Sequence, residues 1–154
     1  MKSKIILRGL KDTEALARSL AKWAGPGKCL LLSGDLGAGK TTLTRYLCSF
    51  LGVDQRHVTS PTFSLIHEYR GEGIDIAHVD LYRLGQGADV FELGLDEYME
   101  RGFFVVIEWA DFLEDILDCV SLRLNITLLS DGTRQVEMES TDGNLAETIS
   151  AGGD

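Results

Sequence analysis

The chain is short of cysteine and of positive charge, and it has no long apolar run. Its three cysteines, Cys29, Cys48 and Cys119, are far apart and show neither CxxC nor Cys/His ligand spacing. The spacing argues against a disulfide framework or a thiolate metal site, and each cysteine reads as a small buried apolar residue. Lysine and arginine number 15 against 24 acidic residues, giving a net charge of −9 and a pI near 4.8. Affinity for a phosphate backbone comes largely from clustered basic residues, so the charge argues against unaided nucleic-acid binding and for any nucleic acid being held through a partner. No apolar run approaches the length of a membrane span. The start, MKSKIILRGLKDTEAL, places only three consecutive apolar residues before Arg8, too few for a signal-peptide core, so a cytoplasmic location is expected. His57, His67 and His78 have no ligand spacing and are assigned no role.

What is present is an ordinary globular composition, 44% hydrophobic and 25% charged over 154 residues, enough for one core. A single domain is expected over residues 1–140, followed by a polar, glycine-containing tail over 141–154, TDGNLAETISAGGD, expected to be flexible. Lys4–Arg8 reads as a short strand. Asp12 or Thr13 can cap a helix whose Leu16, Leu20 and Trp23 recur at helical spacing until Gly25-Pro26-Gly27 ends it. Cys29–Ser33 is an apolar strand. Thr41–Leu51 reads as an amphipathic helix stopped by Gly52, a residue type favoured just past a helix end. Phe63–Tyr69 and Ile74–Asp80 are strand-like, the segment between Gly87 and Glu100 is helical with a break at Gly94, and Phe103–Ile107 is a continuous apolar strand of the kind buried on both faces. Phe112–Leu117 reads as a short helix. Alternating Leu122, Leu124, Ile126 and Leu128, then the turn Ser130-Asp131-Gly132-Thr133 and Gln135–Glu139, read as a hairpin. The expected fold is α/β, a mainly parallel sheet flanked by helices and closed by a C-terminal antiparallel hairpin.

Between the second strand and its helix lies Gly34-Asp35-Leu36-Gly37-Ala38-Gly39-Lys40-Thr41, a full match to GxxxxGK[ST], the P-loop pattern. Small side chains let backbone N–H groups turn inward around a β-phosphate, helped by the positive end of the following helix. Asp35, Leu36, Gly37, Ala38, Gly39, Lys40, Thr41 and Thr42 are thus the expected nucleotide-binding residues. Lys40 would reach the β- and γ-phosphates, the Thr41 hydroxyl would ligate Mg²⁺, and Thr42 would touch the α-phosphate.

Such a cradle calls for acids at the C-terminal ends of neighbouring strands. Asp80 ends IDIAHVD and Glu108 ends FFVVIE. Either can ligate Mg²⁺ while the other orients the attacking water. Asp80 is followed by Leu81-Tyr82-Arg83, with no guanine-reading segment or DxxG switch, so ATP is the expected nucleotide. The nine arginines are scattered rather than gathered in a lid; Arg45, Arg70 and Arg83 are candidates for the γ-phosphate. The absence of an obvious arginine finger points to a slow ATPase that needs a partner.

GDLGAGKTTLTR, SPTFSLIHEY, HVDLYRL and VIEW occur in the order and at about the spacing of the bacterial TsaE family, the P-loop ATPase of tRNA threonylcarbamoyladenosine (t6A) synthesis, which the chain resembles over about Leu30 to Asp111. The resemblance implies an accessory enzyme that works with the TsaB and TsaD proteins, meets tRNA only through that complex, involves no membrane, and hydrolyses ATP to reset the complex between rounds. It further implies Glu108 as the metal-side acid, Asp80 as the acid beside the γ-phosphate, Trp109 as an important aromatic next to it, Thr13 and Arg134 near the adenine, and Ser60-Pro61-Thr62-Phe63 as a switch-like segment. Two other readings stay open at this point: a small-molecule or nucleoside kinase, and a nucleotide-sensing interaction module without catalysis.

Overall fold

Hydrophobic patterning builds a three-layer sandwich. The structure, a computed structural model, describes residues 2–34, 37–54, 66–81, 94–109 and 120–140. Their elements run β1 (Lys2–Leu7), α1 (Leu10–Trp23), β2 (Cys29–Gly34), α2 (Lys40–Phe50), β3 (Ile66–Arg70), β4 (Asp75–Asp80), α3 (Leu95–Glu100), β5 (Phe104–Trp109), β6 (Leu122–Leu128) and β7 (Arg134–Ser140). The strands form one sheet in the order β1-β7-β6-β2-β5-β4-β3. Its centre, β6, β2, β5 and β4, is parallel. Both edges are antiparallel, β3 against β4 and the β6–β7 hairpin with β1 added outside it.

The parallel centre is where apolar runs must lie, because both faces of those strands are covered. Every residue of β2 is buried. One face packs Leu30, Leu32, Ile76, Phe104, Val106 and Leu124 against α1 and α2 through Leu16, Leu20, Leu43 and Leu47. Trp23 of α1 meets Phe104 edge-on, ring centroids 5.8 Å apart. The opposite face packs Cys29, Leu31, Ala77, Val79, Val105 and Ile107 against Leu95 of α3.

Chain ends of the elements follow local chemistry. Gly52 closes α2 at φ +94°, with its amide on Ser49 O and the Val53 amide on Cys48 O, the paired bonds of a glycine-terminated helix. The hairpin turn places Gly132 at φ +87°, and the Leu129 amide donates to Thr133 O at 2.8 Å. The start of α1 differs from expectation: neither Asp12 nor Thr13 is its cap. The helix begins at Leu10 after Gly9, and the Asp12 carboxylate instead reaches back to accept the Arg8 amide at 2.8 Å. A third-position acid can serve a helix start as well as a capping residue does. Among the described residues no helix is long and apolar enough to cross a membrane. The expected helix over Phe112–Leu117, the segment Ser60–Phe63 and the tail 141–154 lie outside the described residues.

Candidate functional site

Parallel strands leave their C-terminal ends on one edge, and chain crossing to opposite sides of a strand opens a crevice there. Here β2 is that strand, with β5 and β4 on one side and β6 on the other. β2 ends with Gly34 at this edge, and Gly39 stands immediately before α2.

Glycine is required at the loop's two ends. Gly34 has φ +142°, and a Cβ there would stand 2.4 Å from the Ile126 carbonyl oxygen of β6. A backbone carbonyl in a sheet cannot give way, so Gly34→Ala is expected to destabilise the fold by about 2–4 kcal/mol through strain and overpacking. Urea unfolding measures this directly. Gly39 takes φ +107° immediately before α2, and Gly37 takes φ +83°.

Lys40 opens α2, is only 6% exposed, and donates from its ammonium to the Gly34 carbonyl, spanning the loop from exit to entrance. Thr41 follows, and its hydroxyl donates to Glu108 Oε1 at 3.0 Å. Glu108 is 3% exposed on β5, opposite Leu32 of β2. Asp80, half-buried at the end of β4, is the register partner of Glu108, and the Leu81 amide ties the strand ends together on Glu108 O at 3.0 Å. The Cys48 thiol, on the face of α2 turned toward the sheet, is pushed up to about 12 by burial and then by the Glu108 charge. It stays protonated and adds no second anion beside Glu108.

On the other flank of the loop a small cleft is lined by Leu7, Leu10, Thr13, Ala38, Gly39, Thr42, Leu43, Ile126 and Arg134. Apolar walls and one cation suit a flat, weakly polar base. Arg134 Nε is buried without a hydrogen-bond partner among the described residues, an orphaned donor facing Gly39, whose added Cβ would stand 3.3 Å from it.

The structure therefore brings Gly37, Ala38, Gly39, Lys40, Thr41, Glu108 and Asp80 to one edge, and Thr13, Thr42 and Arg134 to one adjoining cleft. Asp35 and Leu36 lie outside the described residues. Trp109 ends β5 with its backbone opposite Ser33, but its side chain is outside the description. Arg83 and His57 are outside it too. Arg45 is on the exposed side of α2. Arg70 pairs with Asp75 at the far end of β4 from Asp80, so it is not gathered with the site. Cys29 and Cys48 are buried.

His78, which sequence reasoning passes over, is fully buried with Nε2 on Glu108 Oε2 and Nδ1 3.1 Å from the Tyr69 hydroxyl. The available signal was its place two residues before Asp80, which in a strand means the same face.

Donor chemistry fits Mg²⁺: a hydroxyl and a carboxylate oxygen side by side are hard ligands. Among the described residues no group of three or more His, Cys, Asp or Glu could hold a metal unaided.

Against known proteins, the family model described as "Threonylcarbamoyl adenosine biosynthesis protein TsaE" matches residues 7–136. A curated Bacillus subtilis protein, "tRNA threonylcarbamoyladenosine biosynthesis protein TsaE", is 37% identical over 139 residues, covering 90% of this chain and 85% of its own. A Streptomyces coelicolor protein with the same description is 46% identical over 114 residues, 72% of this chain and 76% of its own. A solved structure, "Crystal structure of Bacillus subtilus YdiB", superposes with a TM-score of 0.74 at 29% identity, covering 100% of this chain and 97% of the other.

Proposed function

The chain belongs to the TsaE family, and from that premise we propose that it is a Mg²⁺-dependent, ATP-binding and ATP-hydrolysing accessory protein of tRNA t6A biosynthesis that works with the TsaB–TsaD complex. The observation that carries the nucleotide reading is the Thr41 hydroxyl on Glu108 at 3.0 Å beside the buried Lys40 ammonium. It combines a place for a divalent cation with a fixed positive charge at the mouth of α2, whose N-terminal amides favour phosphate.

In this reading Thr41 and Glu108 would hold the cation. Mg²⁺ held there would supply charge neutralisation at the terminal phosphate oxygens. Lys40 screens the same oxygens, and the loop amides cradle the β-phosphate. Asp80, one strand further from the loop than Glu108, orients the water whose oxygen displaces ADP from the γ-phosphorus. Thr13, Thr42 and Arg134 line the base-side cleft, where Arg134 Nε finds the partner it otherwise lacks. A net charge of −9 supports a reading in which tRNA is met through the protein partners.

Calorimetry with ATP, with and without Mg²⁺, tests the nucleotide part: binding that strengthens with Mg²⁺ is expected, and no uptake of ATP overturns it. Phosphate release measured alone and with TsaB and TsaD tests the rest. Turnover should be slow alone and faster in the mixture; no stimulation and no co-purification with those proteins overturns the partnership.

A further inference from the structure

Three polar side chains run in a line through the core beneath the loop. Tyr69 on β3, His78 on β4 and Glu108 on β5 come from adjacent strands, and their exposures are 7%, 0% and 3%. Their neighbours on this face are Ile76, Phe104 and Val106, which would accept apolar replacements without loss. Buried polar groups are costly unless mutually satisfied, and a core gains nothing from them that hydrocarbon would not provide. The line has a direction: Tyr69 hydroxyl, His78 Nδ1, His78 Nε2, Glu108 Oε2, Glu108 Oε1, Thr41 hydroxyl. It starts at the buried Tyr69 of the edge strand β3 and ends at the first turn of α2.

An ionised carboxylate only accepts hydrogen bonds, so the Nε2 atom facing Glu108 carries the proton. The Tyr69 hydroxyl occupies the other ring nitrogen and fixes the ring. The carboxylate torsion of a glutamate is intrinsically broad; with Oε2 anchored on His78, Oε1 is left aimed at Thr41. We propose that His78, held by Tyr69, is the positioning residue that locks the Glu108 carboxylate toward Thr41 and thereby sets how tightly the site holds its divalent cation. This rests on the reading of Glu108 as the metal-side acid.

The test is a Mg²⁺ titration of fluorescent, non-hydrolysable ATP-analogue binding in folded protein, with the same analogue measured in EDTA. In His78→Leu the Mg²⁺ concentration for half-maximal effect is expected to rise about 10–100-fold, the range for lost outer-shell partners, with binding in EDTA unchanged. His78→Gln, which keeps an N–H near Nε2, should restore most of the affinity, and Tyr69→Phe should shift the midpoint in the same direction as His78→Leu, by less. A wild-type midpoint in His78→Leu, or an equal loss in EDTA, overturns the proposal. If His78→Leu does not fold, Tyr69→Phe decides: an unchanged midpoint overturns it. Glu108→Gln separates the two levels. If it raises the midpoint and the His78 and Tyr69 variants do not, the inference alone fails; if it too changes nothing, the metal-side assignment of Glu108 fails and the inference with it. In the protein without nucleotide, ring NMR shifts should show His78 protonated at Nε2, and an Nδ1-only tautomer overturns the proposal independently of any metal.

Discussion

Lys40→Ala is expected to leave a folded chain whose ATP hydrolysis, measured by phosphate release with TsaB and TsaD present, falls by at least about 10²–10³-fold, the scale of losing one preorganised charge stabiliser. The fold should survive because the core contacts of α2 come from other residues. Alanine is the best helix former, α2 retains Leu43, Leu47 and Cys48 in the core, and the Thr44 hydroxyl bond to the backbone carbonyl of residue 40 is untouched. The donor to Gly34 O is lost. ATP affinity should fall along with turnover, because the ammonium serves bound ATP as well as the transition state. Lys40→Arg is not expected to rescue: Lys40 is only 6% exposed, and a planar fork does not place its charge where a compact ammonium does. Turnover within about threefold of the parent in Lys40→Ala, with an unchanged melting temperature, would contradict the role drawn from the loop sequence.

The central strands were legible because burial on both faces leaves an unmistakable trace, as in Cys29–Ser33 and Phe103–Ile107, and the hairpin was legible from alternation around Asp131-Gly132. The edges were less so. Nothing in KSKIIL or IHEYR says which neighbour each strand joins, and β1 reaches β7 across nearly the whole chain. The start of α1 was misplaced because Asp12 works from inside the helix, on the Arg8 amide, rather than from its boundary. At the site, Lys40 and Thr41 were readable from the motif, and Glu108 and Asp80 from their positions at strand ends. Thr13 and Arg134 carry no local signal; only tertiary structure brings α1 and β7 to the same cleft. His78 was missed for a related reason. Its meaning depends on β4 lying beside β5 in a register that sets Asp80 opposite Glu108, and a strand's own sequence does not report its neighbour's register.

Asp80→Ala should separate the two acids. Turnover is expected to fall by about 10²–10⁴-fold, the range for a group that orients or accepts a proton from the nucleophile, while the Mg²⁺ requirement for ATP-analogue binding stays near that of the parent. The geometry motivates the split. Glu108 lies on the strand next to β2 and bonds the Thr41 hydroxyl directly, whereas Asp80 lies one strand further out, about 4.8 Å across the sheet. An ion held at Thr41 therefore meets Glu108 first, and the outer acid is left to a water approaching the terminal phosphate. Asp80→Asn sharpens the point, since it keeps shape and hydrogen-bonding capacity but removes the negative charge; it should be nearly as slow as Asp80→Ala. Single-turnover phosphate release together with the Mg²⁺ titration checks both halves. Should Asp80→Ala raise the Mg²⁺ midpoint and Glu108→Gln leave it in place, the roles are reversed, and the Thr41–Glu108 hydrogen bond then reports only how the loop is fastened to β5.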